Sequence, residues 1–271
     1  MAGLEKDADQ PVIPDIDMTV PTTARIYDAL LYGKDNFAAD RAVAEMILEG
    51  LPEIRKVALD NRAWLSRVVH HMTDELGIDQ YIDVGSGLPS AENTHQVAQR
   101  VNPDVRVVYL DNDPIVLAHG RALLADNKNT TVFTADATRP EEILGNEQLR
   151  ELIDFDRPVG VLFIALLHCI PDKADPARCI SAMMDAVPAG SYLAYSHLVS
   201  DNPSAAAELT NTMLENTHGN WGRVRSPQEA ADLVGDLEPL APGFIDVRTW
   251  GVEQAQPPQD IWEIGGLFKK V

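Results

Sequence analysis

The stretch YIDVGSGLPS, residues 81–90, joins an apolar run that contains an acid to two closely spaced glycines. The run predicts a strand that carries Asp83, and Gly85 and Gly87 predict a sharp turn directly after it. Glycine adopts backbone angles that are closed to other residues, and without a side chain it lets a ligand approach the main chain. The turn therefore suits a small ligand, although Gly-x-Gly alone also fits a purely structural turn.

Two further acids end the next two predicted strands. Asp111 closes VRVVYLDND, where a carboxylate can accept both hydrogen bonds of a ribose diol. Asp136 lies at the end of the strand in TVFTADAT, where it can accept from an adenine amino group. A single acid at a strand end is usually a cap or a turn former. Three acids on successive strands, with Asp83 ordering the glycine turn, favour a nucleoside site.

The residues after the glycine turn argue against a pyrophosphate. A dinucleotide fingerprint needs a third glycine at position 90, where the pyrophosphate meets a helix N-terminus. This chain has Pro89 and Ser90 there, and proline removes an amide that phosphate would use. A ligand with ribose and adenine but no phosphate fits better, and S-adenosylmethionine is the cofactor expected. The alternative is a nicotinamide-dependent oxidoreductase, which the missing glycine disfavours.

The elements that must position these residues alternate between strand and helix after residue 80. Three helical patterns precede the first strand, and the apolar run VGVLFIALL is typical of a central parallel strand. The last two strand patterns, FIDVRTWGV and IWEIGGLFKK, lie close enough in sequence to form an antiparallel pair. The sequence predicts a doubly wound, Rossmann-like α/β sheet, mostly parallel with an antiparallel last strand, and a helical N-terminal extension.

The same pattern divides the chain. Residues 1–20 are acidic and proline-rich and are expected to form a flexible arm. Residues 21–271 are expected to be one domain, with a helical lid and extension over 21–78 and the Rossmann-like core over 79–271.

Composition restricts the partners. The 22 Lys and Arg against 42 Asp and Glu give a formal net charge of −20, which repels nucleic-acid phosphates and anionic lipid. Two cysteines make no disulfide framework and no metal cluster, and the N-terminal residues do not resemble a signal peptide. We expect a cytoplasmic protein without a metal; the sequence leaves its oligomeric state open.

Five stretches resemble class I S-adenosylmethionine-dependent methyltransferases, and more narrowly a bacterial S-adenosyl methyltransferase family long catalogued as a domain of unknown function. The resemblance runs from about residue 20 to the end. It is carried by ARIYDALLYGKDNFAADR, YIDVGSGLPS, VVYLDNDPIVLAHGRALL, ALLHCIPD and AGSYLAYSH. One departure is Tyr32, where a small residue is expected beside Gly33.

The resemblance implies a role for each part of the site. It places Gly85, Ser86 and Gly87 along the methionine part of the cofactor and Asp111 on the ribose. It places Asn112 beside the adenine and Asp136 with Ala137 at the edge of the base. It also makes the loop YGKDNF a lid over cofactor and acceptor that uses Tyr27, Lys34 and Asn36; an ordinary helix–helix connector is the alternative.

Methyl transfer is an in-line displacement that depends mainly on alignment and exclusion of water, and it needs a base only if the acceptor loses a proton. His168 directly follows the fourth strand, and LLHCIPD resembles the stretch of small-molecule O-methyltransferases whose histidine is the base. A histidine that bonds a loop carbonyl is the alternative. His197 and Tyr195 are candidate acceptor-pocket residues, although tyrosines at strand ends usually belong to the core.

The function expected is methylation of a small-molecule acceptor on oxygen, nitrogen or an indole-type carbon. Besides the oxidoreductase, a non-catalytic protein that binds S-adenosylmethionine stays open at this point.

Overall fold

The computed structural model describes residues 16–89, 92–124, 127–252 and 256–271. Its strands are β1 (Gln80–Val84), β2 (Arg106–Asp111), β3 (Thr130–Thr134), β4 (Gly160–Phe163), β5 (Tyr192–Val199), β6 (Glu238–Pro239), β7 (Ile245–Asp246) and β8 (Trp262–Lys269). They form one sheet in the order β3-β2-β1-β4-β5-β8-β6, and β7 also pairs with β8. The first five strands are parallel and β8 is antiparallel to its neighbours, which confirms the predicted sheet.

Ten α-helices connect or cover the strands within the described ranges. They are α1 (Thr23–Leu30), α2 (Ala38–Gly50), α3 (Ile54–Asp74), α4 (Thr94–Val101), α5 (Pro114–Leu124), α6 (Pro140–Leu144), α7 (Glu147–Leu152), α8 (Pro176–Ala186), α9 (Pro203–Asn216) and α10 (Pro227–Asp232). A 3-10 turn over Leu167–Cys169 follows β4, and a second one covers Asp172–Ala174. No helix of the described residues is long and apolar enough to cross a bilayer.

Capping side chains fix the start of two of these helices. Ser226 accepts the backbone N–H of Glu229 while the Glu229 side chain reaches back, which forms a capping box at the start of α10. Asp113 accepts the backbone N–H of Ile115 at the start of α5, with proline in the first helical position. The Asp113 cap fixes the start of α5 directly after the loop that follows β2.

The sheet is buried on both faces, because side chains alternate along each strand and both sets are apolar. Ile82 and Phe163 lie in one core, which α8 covers. Tyr81 and Leu162 point the other way, into a core covered by α3 and α4. Their burial on both sides confirms β4 as a central strand, and it leaves the carboxyl ends of the strands as the exposed edge where parallel strands place a ligand.

The helical extension forms a third core with α9 at this same edge. Residues 16–20, which the sequence assigns to a flexible arm, are held by the buried guanidinium of Arg25. It donates to the carbonyl oxygens of Asp17, at 3.2 Å, and of Val20. The rest of the predicted arm, residues 1–15, lies outside the described residues.

Candidate active site

The glycine turn follows β1 as predicted, and its two glycines serve different purposes. Gly85 and Gly87 have φ angles of +68° and +67°, the left-handed region that favours glycine. A Cβ on Gly85 would lie 2.5 Å from the side chain of Leu166, whereas one on Gly87 would meet nothing within 4 Å. Gly85 thus lets the loop after β4 pack against the turn, and Gly87 leaves open backbone for a ligand.

Asp111 ends β2 directly beside this turn. Its Oδ2 accepts the N–H of Gly87 at 2.9 Å, and its Oδ1 accepts the N–H of Asp113 at 2.9 Å. Each oxygen therefore keeps a second lone pair, which suits the two hydroxyls of a ribose. Burial raises the pKa of Asp111 to about 6, because the charged form loses water that the two amides replace only in part.

Asp83 lies within β1, in register with Tyr109 of β2. Its Oδ2 accepts the hydroxyl of Thr94, at 2.6 Å, which ties the start of α4 to β1. Burial raises the pKa of Asp83 to about 6 as well. This hydrogen bond goes to the helix beyond the glycine turn and not to the turn itself, so the ordering of the turn by Asp83 stays a prediction.

The residues predicted at the adenine lie at the adjoining strand ends. The backbone N–H of Ala135 donates to the carbonyl of Asp111 at 3.0 Å, which places the loops after β2 and β3 side by side. Asp136 Oδ1 accepts the N–H of Thr138 at 2.9 Å and its hydroxyl at 2.7 Å. Asn112 is exposed, and Ala137 is half-buried. Their contacts with a base stay a prediction.

The lid segment, defined as residues 21–37, lies over these loops. The hydroxyl of Thr22 donates to Asp113 Oδ2 at 2.6 Å. Phe37 packs beside Leu88 and Ile115, which belong to the loops after β1 and β2. The segment therefore contacts both loops that would hold the cofactor.

Within the lid segment, two side chains predicted to contact the cofactor, those of Asn36 and Tyr27, are hydrogen-bonded to other residues of the protein. Asn36 Nδ2 donates to Asp28 Oδ2 at 2.7 Å and to the carbonyl of Gly33 at 3.0 Å. The hydroxyl of Tyr27 donates to a carbonyl of α3, and burial raises its pKa to about 12. Lys34 is exposed. These contacts favour the connector interpretation for Asn36 and Tyr27, and the lid role stays a prediction.

The turn after α1 explains the unexpected Tyr32. This residue, not Gly33, adopts the left-handed conformation, with φ of 60°, and its exposed ring lies under the guanidinium of Arg55, 4.2 Å from the ring centroid. Gly33 is required for a different reason: a Cβ there would lie 2.0 Å from Asp28 Oδ1. The left-handed residue at the end of α1 is therefore Tyr32 and not the glycine that follows it.

His168 lies at the carboxyl edge but its ring is bonded to the backbone. Nδ1 accepts the N–H of Leu198 at 3.2 Å, so in the neutral ring the proton sits on Nε2. Burial and the nearby Arg225 lower the pKa of His168 to about 3. Such a ring has no free lone pair for a substrate proton. The ring is thus bonded to a backbone amide of β5 and not to the loop carbonyl of the alternative, and the base role stays a prediction that this arrangement opposes.

Tyr195 and His197 are core residues, contrary to the predicted acceptor pocket. Both are 0% exposed. His197 Nδ1 lies 2.8 Å from the Tyr195 hydroxyl, which donates to the carbonyl of Ala230 at 3.2 Å. His197 Nε2 lies 3.3 Å from Nη1 of the buried Arg225. Both side chains are therefore inaccessible because they are buried, and their polar atoms already have partners within the protein.

Sequence reasoning missed a second polar chain, which joins the lid segment to the end of β4. Ala165 has a strained φ of 52°, and its N–H donates to Ser196 Oγ at 3.0 Å. Ser196 donates to Asn61 Oδ1 at 2.8 Å, and Asn61 Nδ2 donates to the Tyr27 hydroxyl at 3.0 Å. The available signal was Asn61, a polar residue within the apolar stripe of α3.

Known proteins match nearly the whole of this chain. A family model described as S-adenosyl methyltransferase matches residues 9–270. A crystal structure of a Thermobifida fusca YX protein assigned as a methyltransferase is 42% identical, with a TM-score of 0.88, and the match covers 95% of this chain and 97% of that one. A DUF574 family protein from Streptomyces avermitilis MA-4680 is 32% identical, with a TM-score of 0.87 and coverage of 94% and 99%.

A more distant structure shares the fold alone. It is an O-methyltransferase family 2 protein from Planctomyces limnophilus DSM 3776 in complex with apigenin, 16% identical, with a TM-score of 0.50 and coverage of 91% of this chain and 65% of that one. No curated protein matches the sequence.

Proposed function

Because this chain belongs to the S-adenosyl methyltransferase family, we propose that its S-adenosylmethionine-dependent transfer has a small-molecule acceptor. Family membership makes the chain an enzyme and removes the nicotinamide-dependent and non-catalytic alternatives. The observation that supports the cofactor site most directly is the hydrogen bond from Gly87 to Asp111, which joins open backbone to a carboxylate with free lone pairs. The O-methyltransferase structure with apigenin supports a small molecule as acceptor.

We propose the following roles for the cofactor residues. The methionine part lies along Gly85, Ser86 and Gly87, and the ribose diol donates to Asp111. Asn112, Asp136 and Ala137 border the adenine. Tyr27, Lys34 and Asn36 belong to the segment that covers the site.

In this reaction the residues of the site align the donor and the acceptor and form no covalent bond with either. S-adenosylmethionine supplies a methyl group already activated by its sulfonium. The glycine turn and Asp111 fix the donor, and the lid segment excludes water from the edge of the sheet. Since the ring of His168 is committed to a backbone amide, it holds β4 and β5 together in this arrangement. Cytoplasmic location and the absence of nucleic-acid partners stay predictions from composition.

Transfer of radiolabelled methyl tests the acceptor class. A cell extract is separated into a low-molecular-mass filtrate and a macromolecular fraction, and each is incubated with the protein and methyl-labelled S-adenosylmethionine. We expect label in the filtrate products, lost with Asp111→Ala and kept with the exposed matched control Asp104→Ala. Label in acid-precipitable RNA, DNA or protein would refute the small-molecule proposal.

A further inference from the structure

One buried acid of the sheet has a side-chain oxygen without a partner among the residues that the structure describes. Glu263 lies in β8 and is 3% exposed, and its Oε2 is buried without a hydrogen bond. Burial raises the pKa of Glu263 well above its usual range, with no cation of the described residues offsetting it. Unsatisfied buried carboxyls cost free energy and are rare in native structures, so this one needs a physical explanation.

The strand register places Glu263 at the ligand edge. Glu263 pairs with Leu198, whose N–H is the one that His168 accepts. The side chain is close enough to Tyr27 of the lid segment and to Cys169 of the 3-10 turn that its charge helps raise the pKa of both. Glu263 therefore lies between the lid segment and the loop after β4.

This position is on the acceptor side of the cofactor. Asp111 and Gly87 hold the cofactor over β2 and β1, so a reacting acceptor lies beyond them, over β4, β5 and β8. Three strand spacings separate β1 from β8, about 14 Å, a span that the methionine part of the cofactor and a small acceptor together would fill. Trp221 is buried and belongs to the apolar cluster that lines this region together with Tyr27 and Leu198.

We propose that Glu263 binds an amine acceptor and takes its proton, a proposal that rests on the small-molecule function above. The ammonium N–H bond breaks, the proton forms an O–H bond on the Glu263 carboxylate, and the electron pair stays on nitrogen. That pair then attacks the methyl carbon, while the carbon–sulfur pair leaves with sulfur. The proton transfer neutralises two charges in an apolar site, which a carboxyl with a raised pKa favours. A chain of net charge −20 also attracts cations.

Binding of a simple amine to the cofactor-product complex tests the proposal without knowledge of the natural acceptor. The full chain is saturated with S-adenosylhomocysteine and titrated with benzylamine, benzyl alcohol or benzoate, followed by ligand-observed NMR. We expect benzylamine to bind the wild type and to bind Glu263→Gln at least tenfold more weakly. Glu238→Gln, the same change at an exposed position of β6, is the matched control and should bind as the wild type does.

Two further readouts separate the possible failures. The ¹⁵N shift of labelled benzylamine should report a neutral amine in the complex, and an ammonium shift would overturn the proton transfer. Urea midpoints should be no lower for Glu263→Gln or Glu263→Met than for the wild type, and a large loss would indicate a structural role instead. Equal benzylamine affinity in wild type and Glu263→Gln, or no benzylamine binding, would overturn the inference. Failure of S-adenosylhomocysteine itself to bind would count against the cofactor site instead.

Discussion

Protonation of Asp111 should control cofactor affinity. Its pKa is raised to about 6, and only the ionised carboxylate can accept from the ribose diol while also accepting from the amides of Gly87 and Asp113. Below that pKa the ligand must bind the minority ionised form. The dissociation constant of S-adenosylhomocysteine should therefore rise about tenfold between about pH 8 and about pH 5. Isothermal titration calorimetry across this range measures it.

The variant Asp111→Asn should remove this dependence. The amide does not titrate and offers one acceptor oxygen, so affinity at about pH 8 should fall at least about tenfold and stay nearly flat on acidification. Asp83 is the necessary control, because its pKa is also raised to about 6 and its carboxylate bonds Thr94. Asp83→Asn should keep the pH dependence. A flat wild-type profile, or a slope that survives in Asp111→Asn, would refute the assignment.

Ionisation of Asp111 should raise cofactor affinity but lower the free energy of unfolding of the ligand-free protein. Its folded-state pKa lies above the unfolded value of 3.8, so the folded state binds more protons and loses stability as pH rises from about 4 through about 6. The full loss is about 3 kcal/mol, of which about 1.4 kcal/mol falls between about pH 5 and about pH 8. Urea unfolding without ligand measures the free energy of unfolding at each pH. For Asp111→Asn, this part of its pH dependence should be missing.

The remaining predictions concern the loops around this carboxyl. Gly85→Ala should destabilise the fold by about 1–3 kcal/mol, since its Cβ would meet Leu166 after β4. Gly87→Ala should destabilise the fold by only about 1 kcal/mol but should weaken cofactor binding. Urea unfolding measures the first effect and calorimetry the second. His168→Ala should lower the free energy of unfolding by about 1–3 kcal/mol, because it leaves the backbone N–H of Leu198 in β5 without an acceptor. Unchanged stability with a large loss of turnover would instead support the base role. Thr22→Val should speed hydrogen exchange in the lid segment, because it removes both the bond to Asp113 and the cap on the Arg25 N–H of α1; equal exchange would show that neither bond holds the segment.

The fold was predictable because its signals are local and repeated. Continuous apolar runs mark strands buried on both faces, and caps such as Ser226 and Asp113 mark where helices begin. The glycine turn and Asp111 were predictable for a related reason, since parallel strands bring their carboxyl ends to one edge. Tyr195 and His197 were misplaced because sequence position gives the strand end but not whether buried partners, here Arg225 and Ala230, already satisfy the side chain.

Two acids within apolar strands show what a sequence pattern leaves open. Asp83 and Glu263 have the same signature, a carboxylate inside an otherwise apolar run, and both are buried with a raised pKa. Asp83 bonds the hydroxyl of Thr94, eleven residues further along the chain, and so serves the structure. Glu263 faces the lid segment from β8 with Oε2 unpartnered. Since an unpaired buried carboxyl lowers stability, its partner is expected to come from outside the chain, and the acceptor side of the sheet is where that partner would bind.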